Sequence, residues 1–175
     1  MKLNQSIRLL TFLSIAVLIT ACDAFKSVNS GGSNNNNNTS SKVDATASTR
    51  NNLIRTGKKQ VGTTYKYAGK DPKGFDCSGF TSYVMKSQGI TVSSSSKMQA
   101  TEGKPVAINK VKPGDLIFFG KNGKVSHVAM VVSNTKEGIT VVHSTSSKGV
   151  IVQNISTSSY WKPKIMFARD VVASY

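Results

Sequence analysis

Three textures of apolar and polar residues succeed one another along this chain. Residues 9–19 are a nearly continuous apolar run, residues 23–48 contain no Leu or Ile, and from Thr49 onward apolar residues recur at regular spacing between turn residues. In the last stretch, Leu53, Ile54 and Val61 predict a helix over residues 49–61, stopped by Gly62. A second helix is expected over residues 76–88. Asp76 is its N-cap, Phe80, Tyr83 and Val84 share a face, and Gly89 is the stop. Residues 116–119, 125–133, 139–144, 150–154 and 165–168 are short runs rich in Val, Ile and Phe, divided by Gly and Asn, and read as strands. Helices first and an antiparallel meander afterwards predict an α+β domain, with N-terminal helices packed on a central sheet of about five to six strands.

The chain's 175 residues suffice for one ordinary domain, and 38% hydrophobic content is too much for a wholly disordered chain. No stretch reaches the roughly 20 apolar residues of a membrane span, which excludes a polytopic membrane protein. Two cysteines exclude a disulfide scaffold and a four-cysteine zinc site.

The first 21 residues place Lys2 and Arg8 before the apolar run and small residues at its end, the order of a secretory signal. Ile19, Thr20, Ala21 and Cys22 resemble a bacterial lipobox, so Cys22 is expected to be acylated and to become the new N-terminus. An incidental cysteine after an ordinary signal is the alternative. Asp23 resembles an inner-membrane retention signal, although sorting rules differ between lineages. Residues 22–48, rich in Ser and Asn, are expected to be a flexible tether with a mean span of roughly 30 Å. The domain is expected over residues 49–175.

Net charge is +15, and loss of residues 1–21 leaves +13. A basic exported surface suits anionic envelope polymers and carboxylate-bearing peptides, or is simply a solvated face. Nucleic acid fits the charge, but the chain holds no aromatic-basic binding motif, and an exported protein has little access to it.

Candidate chemistry rests on three residues. Cys77 falls in the first turn of the second helix, where free backbone N–H groups and the helix dipole favour a thiolate, so a lowered pKa is expected. A small buried hydrophobe is the ordinary alternative. A thiolate nucleophile needs a base and an orienting group, and the chain has only His127 and His143. Both lie on strands of one predicted hairpin. A register in which paired residue numbers sum to 270 sets them directly opposite, any even sum keeps them on one face, and an odd sum separates them. Two His and one Cys could also begin a zinc site, but no fourth Cys or His is available, which favours the thiol reading without metal or organic cofactor.

These residues sit in segments that resemble the NlpC-type cell-wall cysteine peptidases, a family with a papain-like fold. The segments are YKYAGKDPKGFDCSGF at residues 65–80, KPGDLIFF at 112–119, HVAM at 127–130 and VHS at 142–144. The resemblance implies Cys77 as nucleophile, His127 as base and His143 as its orienting partner. It implies Tyr65 as a hydroxyl for substrate or oxyanion and Ser78 as a substrate contact, with a packed aromatic and a helix-start hydroxyl as the respective alternatives. Asp76 is assigned to capping, since a carboxylate opposes a thiolate, and the Cys77 N–H is a candidate oxyanion donor. Departures from the family pattern are Ala68 and Ala129 in place of glycines, both expected to narrow the cleft, and SSSSKMQ over residues 93–99 ahead of the family's glutamine, Gln99. The implied protein is a lipid-anchored envelope endopeptidase acting on peptidoglycan stem peptides, its oligomeric state open with a monomer favoured. A scaffolding lipoprotein without turnover, or an acyltransferase or amidase on the same fold, are the alternatives.

Overall fold

A computed structural model describes residues 37–173. The expected signal, the lipidated Cys22 and the first part of the tether lie outside the described residues. Helix α1 (Asn37–Lys59) precedes a two-residue ribbon, β1 (Lys70–Asp71) and β2 (Gly74–Phe75), and then helix α2 (Cys77–Lys86). A short α3 (Ser96–Gln99) leads to β3 (Lys104–Val106), and β4 (Leu116–Lys121), β5 (Lys124–Thr135), β6 (Gly138–Thr145), β7 (Gly149–Asn154) and β8 (Ile165–Asp170) follow. No helix among the described residues is long and apolar enough to cross a membrane.

Two expectations are corrected at the front of the domain. Residues 37–48 are helical and not a flexible tether. They carry no apolar stripe, and residues 43–48 are mostly exposed, so hydrophobic spacing could not reveal them. The helix propagates outward from the packed turns at Arg50 and Leu53, and extending a helix costs far less than nucleating it. Val61 lies beyond the end of α1 and is half exposed instead of facing the core.

The six large strands form one antiparallel sheet in the order β3-β8-β4-β5-β6-β7. The meander β4 to β7 is as expected, but β8 returns to the open side of β4 and β3 pairs outside it. Alternation along the strands buries two cores. Leu116, Phe118, Val128, Met130 and Val142 pack with Leu53 of α1 and with Phe80 and Val84 of α2. Ile117, Phe119, Ala129, Val131 and Val141 face the other way, where Trp161, Val106 and Ile165 cover them. Ala129 is fully buried in this second core, so its methyl packs there and does not narrow a cleft.

The β5–β6 hairpin departs from the expected register, with direct consequences for the histidines. Its two-residue loop pairs Thr135 with Gly138 and Ser133 with Thr140, an odd sum of 273. That register would send His127 and His143 to opposite faces. A bulge between Val131 and Ser133 inserts Val132 as one extra residue in β5, and beyond it Val131 pairs with Val141 and Met130 with Val142. The sum becomes 272, not the expected 270. It is even, so both histidines project to one face, offset diagonally and not directly opposed.

A buried ion cluster joins the first helix to one end of the neighbouring strands β4 and β8. Arg50 Nη1 donates to Asp115 Oδ1 at 2.7 Å and to the Pro113 carbonyl at 2.7 Å, while Nη2 donates to both carboxylate oxygens of Asp170 at 2.8 Å. Asp115 is 1% exposed and also accepts the Lys112 N–H at 2.8 Å. Burial pushes its carboxyl pKa up, against the Lys112 N–H and Arg50, which lower it.

Candidate active site

Helix α2 begins at Cys77 because Asp76, in extended conformation, caps it. The carboxylate accepts the Gly79 N–H at 2.6 Å, and the Asp76 carbonyl accepts the Phe80 N–H. With those two donors satisfied, the N–H groups of Cys77 and Ser78 are left facing the sulfur, where they favour negative charge. The helix start docks against the preceding loop through two glycines. A Cβ on Gly79 would come within 2.0 Å of the Gly69 carbonyl oxygen, and one on Gly69 within 2.2 Å of the Gly74 carbonyl oxygen. No side chain fits at either position. Ala68, next to Gly69, adopts a left-handed φ of 56°. A glycine suits that backbone better by about 1 kcal/mol, and Ala68, which lines one cleft wall, holds it nonetheless.

The sheet is tied to this helix start in two places. Ser144 Oγ donates to the Phe75 carbonyl at 2.7 Å, linking the residue after His143 to the strand just before Cys77. The Val128 N–H, adjacent to His127, hydrogen-bonds the Cys77 sulfur. Tyr65 is positioned by a parallel bridge to Phe75 and by Val150, whose N–H donates to Thr63 and whose carbonyl accepts from Gly62.

His127 and His143 meet as the even register requires, with His127 Nε2 2.9 Å from His143 Nδ1. Trp161 stacks on the His127 ring at 4.5 Å between centroids and 28° between planes, and meets His143 edge-on at 5.0 Å. His143 is fully buried, whereas His127 keeps an edge exposed to the cleft. Burial pushes the pKa of His127 down to about 3, with neighbouring His143 adding to the effect, and pushes His143 down to about 4. Both rings are therefore neutral at pH 7.

Cys77 is where two clefts join, since Cys77, Tyr65 and Ser126 line both. The larger, about 600 Å³, holds His127, Trp161 and three lysines, Lys121, Lys148 and Lys164, and no carboxylate lines it among the described residues. The smaller, about 440 Å³, is walled by Tyr67, Ala68 and the loop from Ser94 to Lys97. Gln99 anchors that loop: its amide donates to the carbonyls of Ser78 and Ser93, and its oxygen accepts from Thr81. Ser78 borders the smaller cleft, but it is 5% exposed and its hydroxyl lies between Asp76 Oδ1 and the Ser94 carbonyl. Tyr65 is partly exposed, and burial, with Cys77 and Asp76 nearby, raises the pKa of its hydroxyl, which stays a proton donor.

The expected thiolate is not the resting state. Burial pushes the Cys77 thiol above its ordinary value of 9.0 and Asp76 adds to the rise, which outweighs the N–H groups of Val128, Ser78 and Cys77 itself. Thiol and imidazole are both neutral at pH 7 in the free protein. Alkylation of Cys77 by iodoacetamide, followed by mass spectrometry of its peptide, is accordingly expected to keep accelerating with pH to beyond about 8.5 without a plateau. A rate plateau reached below pH 7 would instead reveal a preformed thiolate–imidazolium pair.

Trp161, Gln153 and the lysine rim escaped sequence reasoning. They lie at the end of β4, in β7 and in the connections around the sheet, where no local pattern marks them, although Trp161 is the chain's only tryptophan.

The sequence signature of the NlpC/P60 family matches residues 62–170. The gamma-DL-glutamyl hydrolase of Bacillus subtilis is 38% identical over 135 residues, covering 74% of this chain but 32% of that enzyme, so this chain spans about a third of its length. The murein DD-endopeptidase MepS/murein LD-carboxypeptidase of Escherichia coli is 28% identical over 184 residues, covering 98% of this chain and 95% of that protein. A crystal structure of an NlpC/P60 family protein from Bacillus cereus superposes with a TM-score of 0.65 at 34% identity, over 70% of this chain and 40% of the other.

Proposed function

This chain belongs to the NlpC/P60 family, and on that premise we propose that it is a cysteine endopeptidase that hydrolyses amide bonds in the stem peptides of peptidoglycan. The observation that carries the reading is the join of two clefts at Cys77, with the hydrogen-bonded His127–His143 pair in the larger one. An extended peptide laid through both clefts places its scissile carbonyl over the sulfur. His127 takes the thiol proton as the sulfur attacks the carbonyl carbon. The oxyanion is met by N–H groups at the start of α2 and by the Tyr65 hydroxyl. Collapse of this intermediate breaks the C–N bond, the imidazolium returns its proton to the leaving amine, and a thioester remains. Water, deprotonated by His127, then hydrolyses the thioester and restores the thiol.

The lysine-rimmed, carboxylate-free cleft favours an anionic substrate, and a γ-linked glutamyl residue carries a free α-carboxylate close to its scissile amide. The names of the relatives span γ-glutamyl and DD-peptide bonds, and the former is the bond proposed for this chain. Cys22 is the proposed lipid anchor, which together with the chain up to α1 holds the domain at an envelope membrane.

Digestion of sacculi of known composition, with mass spectrometry of the released and retained fragments, tests the activity and the bond together. Cleavage after γ-glutamate is expected to leave dipeptide stems on the glycan. Intact cross-linked stems after prolonged digestion would refute hydrolysis, and separation into monomeric tetrapeptide stems would move the cut to the cross-link.

A further inference from the structure

We infer that Gln153 is a positioning residue that fixes the tautomer of His143 and, through it, the nitrogen at which His127 accepts a proton. The inference rests on the catalytic reading above and adds a residue to which no part of that reading assigns a role.

The His127–His143 contact leaves two proton arrangements open. In one, His127 Nε2 donates to His143 Nδ1, which leaves His127 Nδ1 with a free lone pair and requires the proton of His143 to sit on Nε2. In the other, His143 Nδ1 donates to His127 Nε2, and His127 Nδ1 then carries the proton and cannot act as a base. Only the first arrangement gives a competent pair. What selects it must act on His143 Nε2, an atom that is fully buried and outside hydrogen-bond geometry with any described group.

Gln153 is placed for that role. Strand β7 pairs Ile151 with His143 and Gln153 with Val141, which puts the glutamine on the histidine's face, one diagonal step away. Its Oε1 accepts the indole N–H of Trp161 at 3.1 Å. An indole nitrogen only donates, so the amide oxygen and not the amide nitrogen faces this side, and the ambiguity of amide orientation is removed. The Gln153 side chain raises the pKa of His143 against the larger, lowering effect of burial, the direction an acceptor beside the ring produces. A hydrogen bond from His143 Nε2–H to Gln153 Oε1 completes the chain that starts with His127 Nε2–H donating to His143 Nδ1. Trp161 closes the arrangement, because it both orients Gln153 and stacks on His127.

Imidazole nitrogen–proton correlation spectra of the full-length protein, labelled with nitrogen-15 in histidine and recorded without substrate, read the tautomer directly. His143 is expected as the Nε2–H form. Gln153→Leu should turn that signal into a tautomer mixture and lower kcat on the order of 10- to 100-fold with KM within about twofold. Gln153→Glu, which keeps an acceptor, should retain the tautomer and restore most of kcat. Finding His143 as the Nδ1–H form in the unaltered protein overturns the inference, as does a Leu variant with unchanged tautomer and kcat. The spectra need no turnover, so failure of the peptidase reading, seen as undigested sacculi with the unaltered protein, is a separate result.

Discussion

Replacing Cys77 by alanine is expected to lower kcat for stem-peptide cleavage by on the order of 10⁴-fold or more, because the attacking sulfur is removed and the hydroxyls of Tyr65 and Ser126, which also line both clefts, are far weaker nucleophiles than a thiol. His127→Ala should cost on the order of 10³-fold, the usual weight of a general base that also serves as acid. The double variant should be no slower than Cys77→Ala alone, since both residues serve one proton transfer and their effects do not add. Folding should survive the cysteine change: the side chain is small, sits at the cleft and is only partly packed against the helix-side core. Urea unfolding of the alanine variant should therefore fall within about 1 kcal/mol of the unaltered protein. Rates on purified sacculi decide the matter, and an alanine variant that still releases fragments would remove the sulfur from the mechanism.

The largest effect on stability is expected at Arg50. Its guanidinium holds Asp115, Asp170 and the Pro113 carbonyl together, and Asp115 has almost no access to water. Arg50→Met fills a similar volume but strands a buried carboxylate, which costs about 3–5 kcal/mol. Most of that cost is the orphaned charge and not the lost attraction. Arg50→Met combined with Asp115→Asn should therefore be more stable than Arg50→Met alone, because the amide has no charge to desolvate. Urea titrations monitored by far-ultraviolet circular dichroism measure both variants. A loss below about 1 kcal/mol in the single variant would show that water reaches the cluster.

Strands β4 to β8 were legible because each is rich in Val, Ile and Phe between turn residues, and α2 because Asp76 and Gly89 bracket an apolar face, whereas the short β1, β2 and β3 carry no such run. Cys77, His127 and His143 stood out as candidates for a related reason: the chain has few residues able to do such chemistry, and each lies on a predicted element. The first turns of α1 were not legible, since their exposed Ser, Asn and Thr carry no period. The Arg50 cluster joins residues 65 and 120 positions apart, beyond any local pattern. The thiol's pKa was misjudged because a helix N-terminus is visible in sequence whereas the depth of the sulfur is not. The NlpC/P60 architecture itself followed from the order of the motifs.

The extra residue at Val132 gives the β5–β6 hairpin a parity rule. A one-residue slip of β5 against β6, with the bulge kept, would turn one histidine toward the helices and leave the other without its partner. Val132 entering the ladder opposite Val141, with no residue lost, would do the same. A slip of two residues keeps the shared face, so the pairing of Thr135 with Gly138 at the outer tip is bound by the chemistry at the hairpin's base.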